Sequence, residues 1–531
     1  MRFDQRFCAR AVVAAGLVAT IVSGFGRSPV HAQTSAATPP AQGGPVRRMS
    51  IDDAVATAIE QNLDLQVQRY NPQIQDASTA QFKAAYAPTF TSTVALVDQT
   101  QPPTSFLSGN TNQITNGRST FNFGLTQQTP WYGGSYRIDF NNGRTTTNNI
   151  FTNFDPQLTA NIQAVYTQPL LRNFKIDGTR QQLLVSQKNK EISDVQLQQS
   201  VYRTVRSVRN AYYDLMYAIG NLNVQQQSLE LARQSLKDNR ARVEIGTMAP
   251  LDIVQAEAEV ATREESVILA EAAIDRAQDT LRALVFNPSA GPDFWTARIE
   301  PTEAVSFQPT AVDVDAAVKT ALGQRTDVVA ARKNLEVNDV NIRYFQDQSK
   351  PDLNASLTYG AQAIGGVALL RGRPGEGQII GPVIATSERS YWDTLGTTFT
   401  GDFPGWTLQF DLAYPLGNST QEAQLARARL QNTQAERQID ALELQVASQV
   451  REYGRQVITN AKRVDATRAS RVLAERRLEA EEKKYQAGMT SSFFVLTAQR
   501  DLIVARNSEL LALVEYAKSV VNYTAVQQSP F

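Results

Sequence analysis

The side chains that carry most protein chemistry are nearly missing from this chain. One imidazole, His31, and one thiol, Cys8, occur in 531 residues. Both lie in a stretch that reads as an export signal. Arg2, Arg6 and Arg10 form a positive start and Ala11 to Phe25 an apolar run; Val30, His31 and Ala32 then offer a cleavage site before Gln33. The run is too short to act as a bilayer-spanning anchor. Cys8 precedes the apolar run, so it is not the acylated cysteine that follows a lipoprotein signal. Without residues 1–32 there is no His general base, thiol nucleophile, disulfide or Cys/His zinc site. Carboxylate, Lys, Ser/Thr or Tyr chemistry remains. No glycine-rich phosphate loop, metal cluster or nucleophile motif gathers those residues. The expectation is a protein that is not an enzyme, with no catalytic residue, cofactor or metal.

Lys+Arg and Asp+Glu balance at 52 each, which gives no reason to expect nucleic-acid binding. Removing Arg2, Arg6, Arg10, Arg27 and Asp4 with the signal leaves a net charge of −3. No later stretch resembles an 18-residue apolar helix. An exported chain of this kind is periplasmic, secreted or outer-membrane, and only a β-barrel would hold it in a bilayer.

Residues 33–48 are rich in Pro, Ala, Gly and Thr and read as a flexible leader. Ser50 opens a helix, with Asp52 and Asp53 in its first turn, that runs to about Tyr86; Pro88 stops it. Period-two alternation follows. Phe90, Val94 and Leu96 alternate with Thr91, Thr93 and Ala95, and Ala160, Ile162, Ala164 and Tyr166 with Asn161, Gln163 and Val165. Phe121, Phe123 and Leu125, then Tyr136, Ile138 and Phe140, suggest a further hairpin at 120–141. A very long helix spans about Thr179 to Ile245. Val201, Val208, Leu215, Leu222, Leu229, Leu236 and Val243 recur every seven residues along it, a coiled-coil seam. Gly246 breaks it, Pro250 starts the next helix, and residues 286–311 read as a linker.

The same order then recurs. Asp52, Asp53, Ala54 and Val55 match Asp315, Ala316, Ala317 and Val318, and the offset of 263 carries Asp64 onto Asp327 and Pro88 onto Pro351. Leu353 to Tyr359 and Trp406 to Tyr414 alternate as strands. A second long helix spans about Thr420 to Ala487, with Val450, Val457, Val464, Leu478 and Tyr485 on its seam and Arg471 interrupting it. Gly488 ends this helix, and a last one runs to about Val526.

Physical lengths follow. Each short helix, 50–86 or 249–285, is roughly 55 Å long, and each long one roughly 100 Å. Two short helices end to end would flank one long helix, in a wall roughly 100 Å tall. Four clear strands are too few for a private barrel, because the smallest bacterial ones have about eight. The expected class is therefore mostly α with β: a long antiparallel coiled-coil helical barrel plus a transmembrane β-barrel shared between subunits, with four or more strands per chain. The domains read as signal peptide 1–32, leader 33–48, first repeat 49–285, linker 286–311 and second repeat 312–527.

This order resembles the TolC family of outer-membrane efflux proteins over about residues 49–527. The tandem duplication carries the resemblance, together with the Ala87-Pro88 and Lys350-Pro351 helix ends. The Gln168-Pro169-Leu170 and Tyr414-Pro415-Leu416 strand exits and the glycine turns at Gly246 and Gly488 add to it. The resemblance implies a homotrimer with four barrel strands per subunit and one twelve-stranded pore. It implies a tunnel in the periplasm, closed at its tip by the helix turns. A periplasmic adaptor and an inner-membrane pump would dock at that tip. Asp252, six residues after Gly246, matches a family gate position. The second-repeat counterparts are Phe494 and Thr497, so the acidic ring of familiar members is missing. Tyr485, three residues before Gly488, matches a gate-contact position, which suggests a Tyr485–Asp252 hydrogen bond.

Plainer readings stand beside these. Gly246 and Gly488 also serve as helix C-caps, and Asp252 as a first-turn acid. Arg203, Arg206 and Arg209 read as a solvated stripe, and Trp131, Tyr132, Trp392, Trp406 and Tyr414 as interfacial aromatics or loop packing. Phe531 could end a terminal strand, but a helix precedes it. The competing function is a structural coiled-coil surface protein or trimeric adhesin. Matched prolines around duplicated helix–strand–helix units do not suit an adhesin.

Overall fold

A computed structural model of the chain describes residues 45–103, 112–246, 248–290, 294–304, 306–376, 380–417 and 419–531. The expected signal peptide and nearly all of the leader lie outside the described residues. The leader's last residues are structured: β1 (Val46–Met49) pairs in parallel with β6 (Arg298–Pro301) inside the expected linker.

The single helix expected over 50–86 is divided. α1 (Ile51–Gln61) starts on a Ser50–Asp53 capping box and ends at Asn62, whose backbone is extended. Asn62 then caps α2 (Leu63–Ala84), its side chain accepting from the Leu65 amide at 3.0 Å. The second repeat divides at the equivalent position: α5 (Val314–Gln324) and α6 (Thr326–Gln348) meet at extended Arg325. An extended residue between two helical runs breaks the periodicity without a Gly or Pro to announce it.

The long helices are α3 (Gly178–Glu244) and α8 (Thr420–Gln486); their return helices are α4 (Pro250–Val285) and α9 (Ser492–Val526). α3 is flanked by α2, α1 and α4, and α8 by α6, α5 and α9. α1 packs against the last turns of α4, and the end of α4 reaches the α1–α2 break, where Asn62 Nδ2 donates to the Leu284 carbonyl at 2.8 Å. Of the seam residues, Val208, Leu215, Val450, Val457, Val464 and Leu478 are buried, and the rest of the α3 seam and Tyr485 are partly buried. Arg471, the seam's interruption, bonds Glu475 on its own helix and Glu509 on α9. The arginine stripe is not simply solvated. Arg209 pairs with Asp52 at 3.4 Å. The Arg206 guanidinium lies 4.0 Å from the Phe531 ring centroid, and burial lowers its pKa. Phe531 stacks on Tyr453 at 4.2 Å, outside any strand.

One sheet holds β2 (Thr89–Gln101), β3 (Ile114–Gln128), β4 (Ser135–Thr147), β5 (Phe154–Pro169), β7 (Asp352–Arg371), β8 (Val383–Arg389) and β9 (Pro404–Ala413). The hairpin at 120–141 is thus β3–β4, and the sheet exceeds the four strands that the resemblance implies. Its order is β2-β3-β4-β5-β7, all antiparallel; β8 and β9 both pair with the far side of β7, one at each end. β8 and β9 form one stave broken by α7 (Tyr391–Thr400). Register places Phe90, Leu125, Ile138, Ala164, Tyr359 and Trp406 in one row on one face. The other face carries rows such as Thr91, Gly124, Asp139, Gln163, Gly360 and Gly405. One face is therefore mainly apolar and the other mainly polar or small, with Val97, Val165 and Ile364 as exceptions on the polar side.

α7 rests on the apolar face with Thr394 and Thr398 buried, while Trp392 and Phe399 are exposed. Tyr391 donates to Asn142 Oδ1 at 3.0 Å. A Cβ on Gly365 would lie 1.9 Å from Thr394 Oγ1, so this close approach of helix to sheet requires glycine.

Candidate functional site

Away from the sheet, both helix pairs turn on a left-handed glycine. Gly246 has φ +78° and Gly488 φ +74°, a conformation that glycine adopts without steric cost. Gly488 donates to the Tyr485 carbonyl at 3.1 Å and Met489 to the Lys484 carbonyl at 2.8 Å, the two bonds of a Schellman cap. Gly246 makes the first of these, to Val243 at 2.9 Å. Pro250 fills the first position of α4, where its missing N–H is not needed.

The two turns touch. The Tyr485 hydroxyl donates to Asn239 Oδ1 at 3.3 Å and lies 3.9 Å from Met248 Sδ. The Arg242 guanidinium sits 4.3 Å from the Tyr485 ring centroid. Burial raises the Tyr485 pKa, Arg242 opposes this and Asp252 adds to it, so the phenol stays a neutral donor. The expected Tyr485–Asp252 bond is not the one formed within this subunit. Asp252 Oδ1 accepts instead from Ser492 Oγ at 3.3 Å, and buried Asn239 takes the tyrosine.

Seven residues beyond Asp252, on the same face of α4, stands Glu259, which the sequence analysis does not single out. It is 6% exposed. Arg263 on its own helix holds it at 2.5 Å, and Arg500 of α9 bonds its other oxygen. Burial alone would raise its pKa, but Arg500 and Arg263 together hold the carboxyl below the usual range. Near the turns, polar contacts thus join one helix pair to the other at Tyr485–Asn239, Ser492–Asp252 and Arg500–Glu259. Beneath them Leu478, Val495, Ala498 and Leu502 form the local core. Phe494 is half exposed and packs edge-on against Phe493 at 5.7 Å. Thr497 is partly buried and bonds back to the Phe493 carbonyl at 2.8 Å. Met489, Ile245 and Leu251 are also exposed beside the turns. The arrangement can latch two helix pairs.

The outer membrane efflux protein model matches residues 54–285 and 317–526, one stretch in each repeat. The chain belongs to the outer membrane efflux protein family. A curated relative, outer membrane protein TolC of Escherichia coli strain K12, is 24% identical over 343 residues, and the match covers 64% of each chain. The Campylobacter jejuni CmeC outer membrane channel superposes with a TM-score of 0.63 at 13% identity, covering 90% of this chain and 85% of that one. The outer membrane protein VceC of Vibrio cholerae does so at 0.62 and 15%, covering 90% and 96%. These likenesses extend across both repeats, sheet and helices together. In this family member the second repeat carries Phe494 and Thr497 at the tip.

Proposed function

We propose that this protein is the outer-membrane channel of a tripartite efflux or type I secretion system. Three copies share one barrel in the outer membrane, and their helices form a tunnel into the periplasm. The channel is a passive conduit, fed by a periplasmic adaptor and an inner-membrane pump. The observation that carries this reading is an open sheet, apolar on one face and polar on the other, continuous with helix pairs that end in two latched glycine turns. The apolar face suits lipid and the polar face a water-filled lumen. Exposed Ile245, Met489 and Phe493 at the turns offer an apolar surface for the adaptor. Phe494 in place of an acid favours a constriction closed by apolar side chains rather than by charge.

Detergent-solubilised protein from outer membranes should be trimeric by native mass and conduct ions in planar bilayers. A monomer, or a trimer that does not conduct, would sink the channel and favour a structural surface protein.

A further inference from the structure

Counting β8 and β9 as one stave, each subunit supplies six staves, and the sheet stays open: β2 ends one side and β8/β9 the other. Along β2, all but Ala95 are exposed, and all of β8 and β9 are. Five successive antiparallel pairings separate β2 from β9, so the two edges run in opposite directions. In a rotationally symmetric ring, β2 of one copy therefore meets β9 of the next antiparallel. An odd number of staves would force a parallel junction. The helical layer ends on the same sides. α2 and α4 lie at the outer side of α3, with Val67, Tyr70, Ile74 and Ile268 exposed; α8 lies at the other, with Leu430, Leu444 and Leu473 exposed.

The β3–β4 hairpin is what departs from four staves. Its apolar residues continue the rows of its neighbours: Phe123 stands between Ser92 and Phe140, and Ile138 between Leu125 and Ala164. A hairpin folded outside the wall would not need that band. Widths agree as well. At ~4.8 Å between strands and ~40° tilt, eighteen strands make a barrel roughly 36 Å across, against roughly 24 Å for twelve. Four helix rows per subunit at ~9.5 Å spacing, three times over, make a cylinder roughly 36 Å across.

We propose that three copies pair the β2 edge of one with the β9 edge of the next, closing an eighteen-stranded barrel. This rests on the trimeric channel reading. It sets an exit as wide as the tunnel beneath it, where twelve strands at the same tilt would narrow it.

The test uses the full chain, whose one cysteine lies in the expected signal peptide. Thr93→Cys on β2 is combined in turn with Thr407→Cys, Gln409→Cys or Asp411→Cys on β9, all on the polar face. Oxidised trimers are run on denaturing gels. One of the three pairs should convert most of the monomer into a ladder that ends at three chains and collapses on reduction. A ladder ending at two or four chains overturns the proposal. So do conducting trimers with no cross-link in any pair, which leave the channel reading intact. A second arm labels Phe123→Cys and Asn122→Cys with an environment-sensitive fluorophore in phospholipid vesicles. Phe123 should be quenched by lipid-bound nitroxide and Asn122 by aqueous iodide. Iodide quenching at both would place the hairpin outside the wall and overturn eighteen strands.

Discussion

α3 and α8 are each 67 residues long, α4 and α9 are 36 and 35, and α1 and α5 are both 11. Between those helices the first repeat places four strands, while the second places one continuous strand and one split around α7. Helices that share a wall must start and end at common heights, so a residue gained in one is felt by every neighbour. A sheet accepts strands two at a time, because a hairpin restores the direction of the next strand. The two halves therefore match in length where their helices pack side by side and differ where strands can be added in pairs. The junctions and tips diverge too, by single residues: Asn62 against Arg325, and Asp252 against Phe494.

The largest expected effect lies at the junctions. Arg325 is 1% exposed, with Nε 3.0 Å from Asp327 Oδ1 in a close ion pair that lacks hydrogen-bond alignment. Arg325→Ala removes a fully buried side chain and its ion pair with Asp327, and should cost about 3 kcal/mol. Asn62→Ala loses a cap and should cost about 1 kcal/mol. Thermal unfolding should rank the two in that order, and equal midpoint shifts would remove the asymmetry.

The tip comes next. The Glu259 carboxyl lies below its ordinary range when clamped, so the clamp's contribution is complete above that range and disappears as pH falls through it. Channels should therefore open more readily in acid, as pH falls below the ordinary carboxylate range. Glu259→Gln should raise conductance several-fold at pH 7 and flatten the pH profile. A pH-independent conductance in the parent protein would remove Glu259 from the gate.

Phe494→Asp would restore to the second repeat the acid it lacks. It should move the reversal potential in a salt gradient toward cations by a few-fold in permeability ratio, and an unmoved potential would put Phe494 away from the constriction. The smallest effect should come from Tyr485→Phe, which removes one 3.3 Å hydrogen bond worth about 1 kcal/mol. Conductance should rise less than for Glu259→Gln; no change at all would take Tyr485 out of the latch.

Much of this was legible in the sequence. The 263-residue offset aligned the two halves, the seven-residue seams picked out Val208 and Leu215 of α3 and Val450, Val457, Val464 and Leu478 of α8 as buried, and Gly246 and Gly488 marked the turns. The breaks at Asn62 and Arg325 were not, since neither residue type interrupts helical periodicity by itself. The β8–α7–β9 segment was missed in part because a strand broken by an on-sheet helix has no lasting period. Glu259 was missed because a carboxylate on a helix is ordinarily solvated. Its signal was the seven-residue step from Asp252, with Arg263 four residues further on. Tyr485 and Asp252 were placed at the right end of the molecule, but with partners that spacing alone could not assign.

The open sheet edges bear on how the protein reaches its membrane. A lone subunit would carry into lipid the unpaired backbone groups of β2 and of the β8/β9 stave, each costing several kcal/mol without water. In the periplasm the same edges are templates for aggregation. On the proposed trimeric reading, insertion and subunit association would be one event, whose rate should rise steeply with the concentration of unassembled chains.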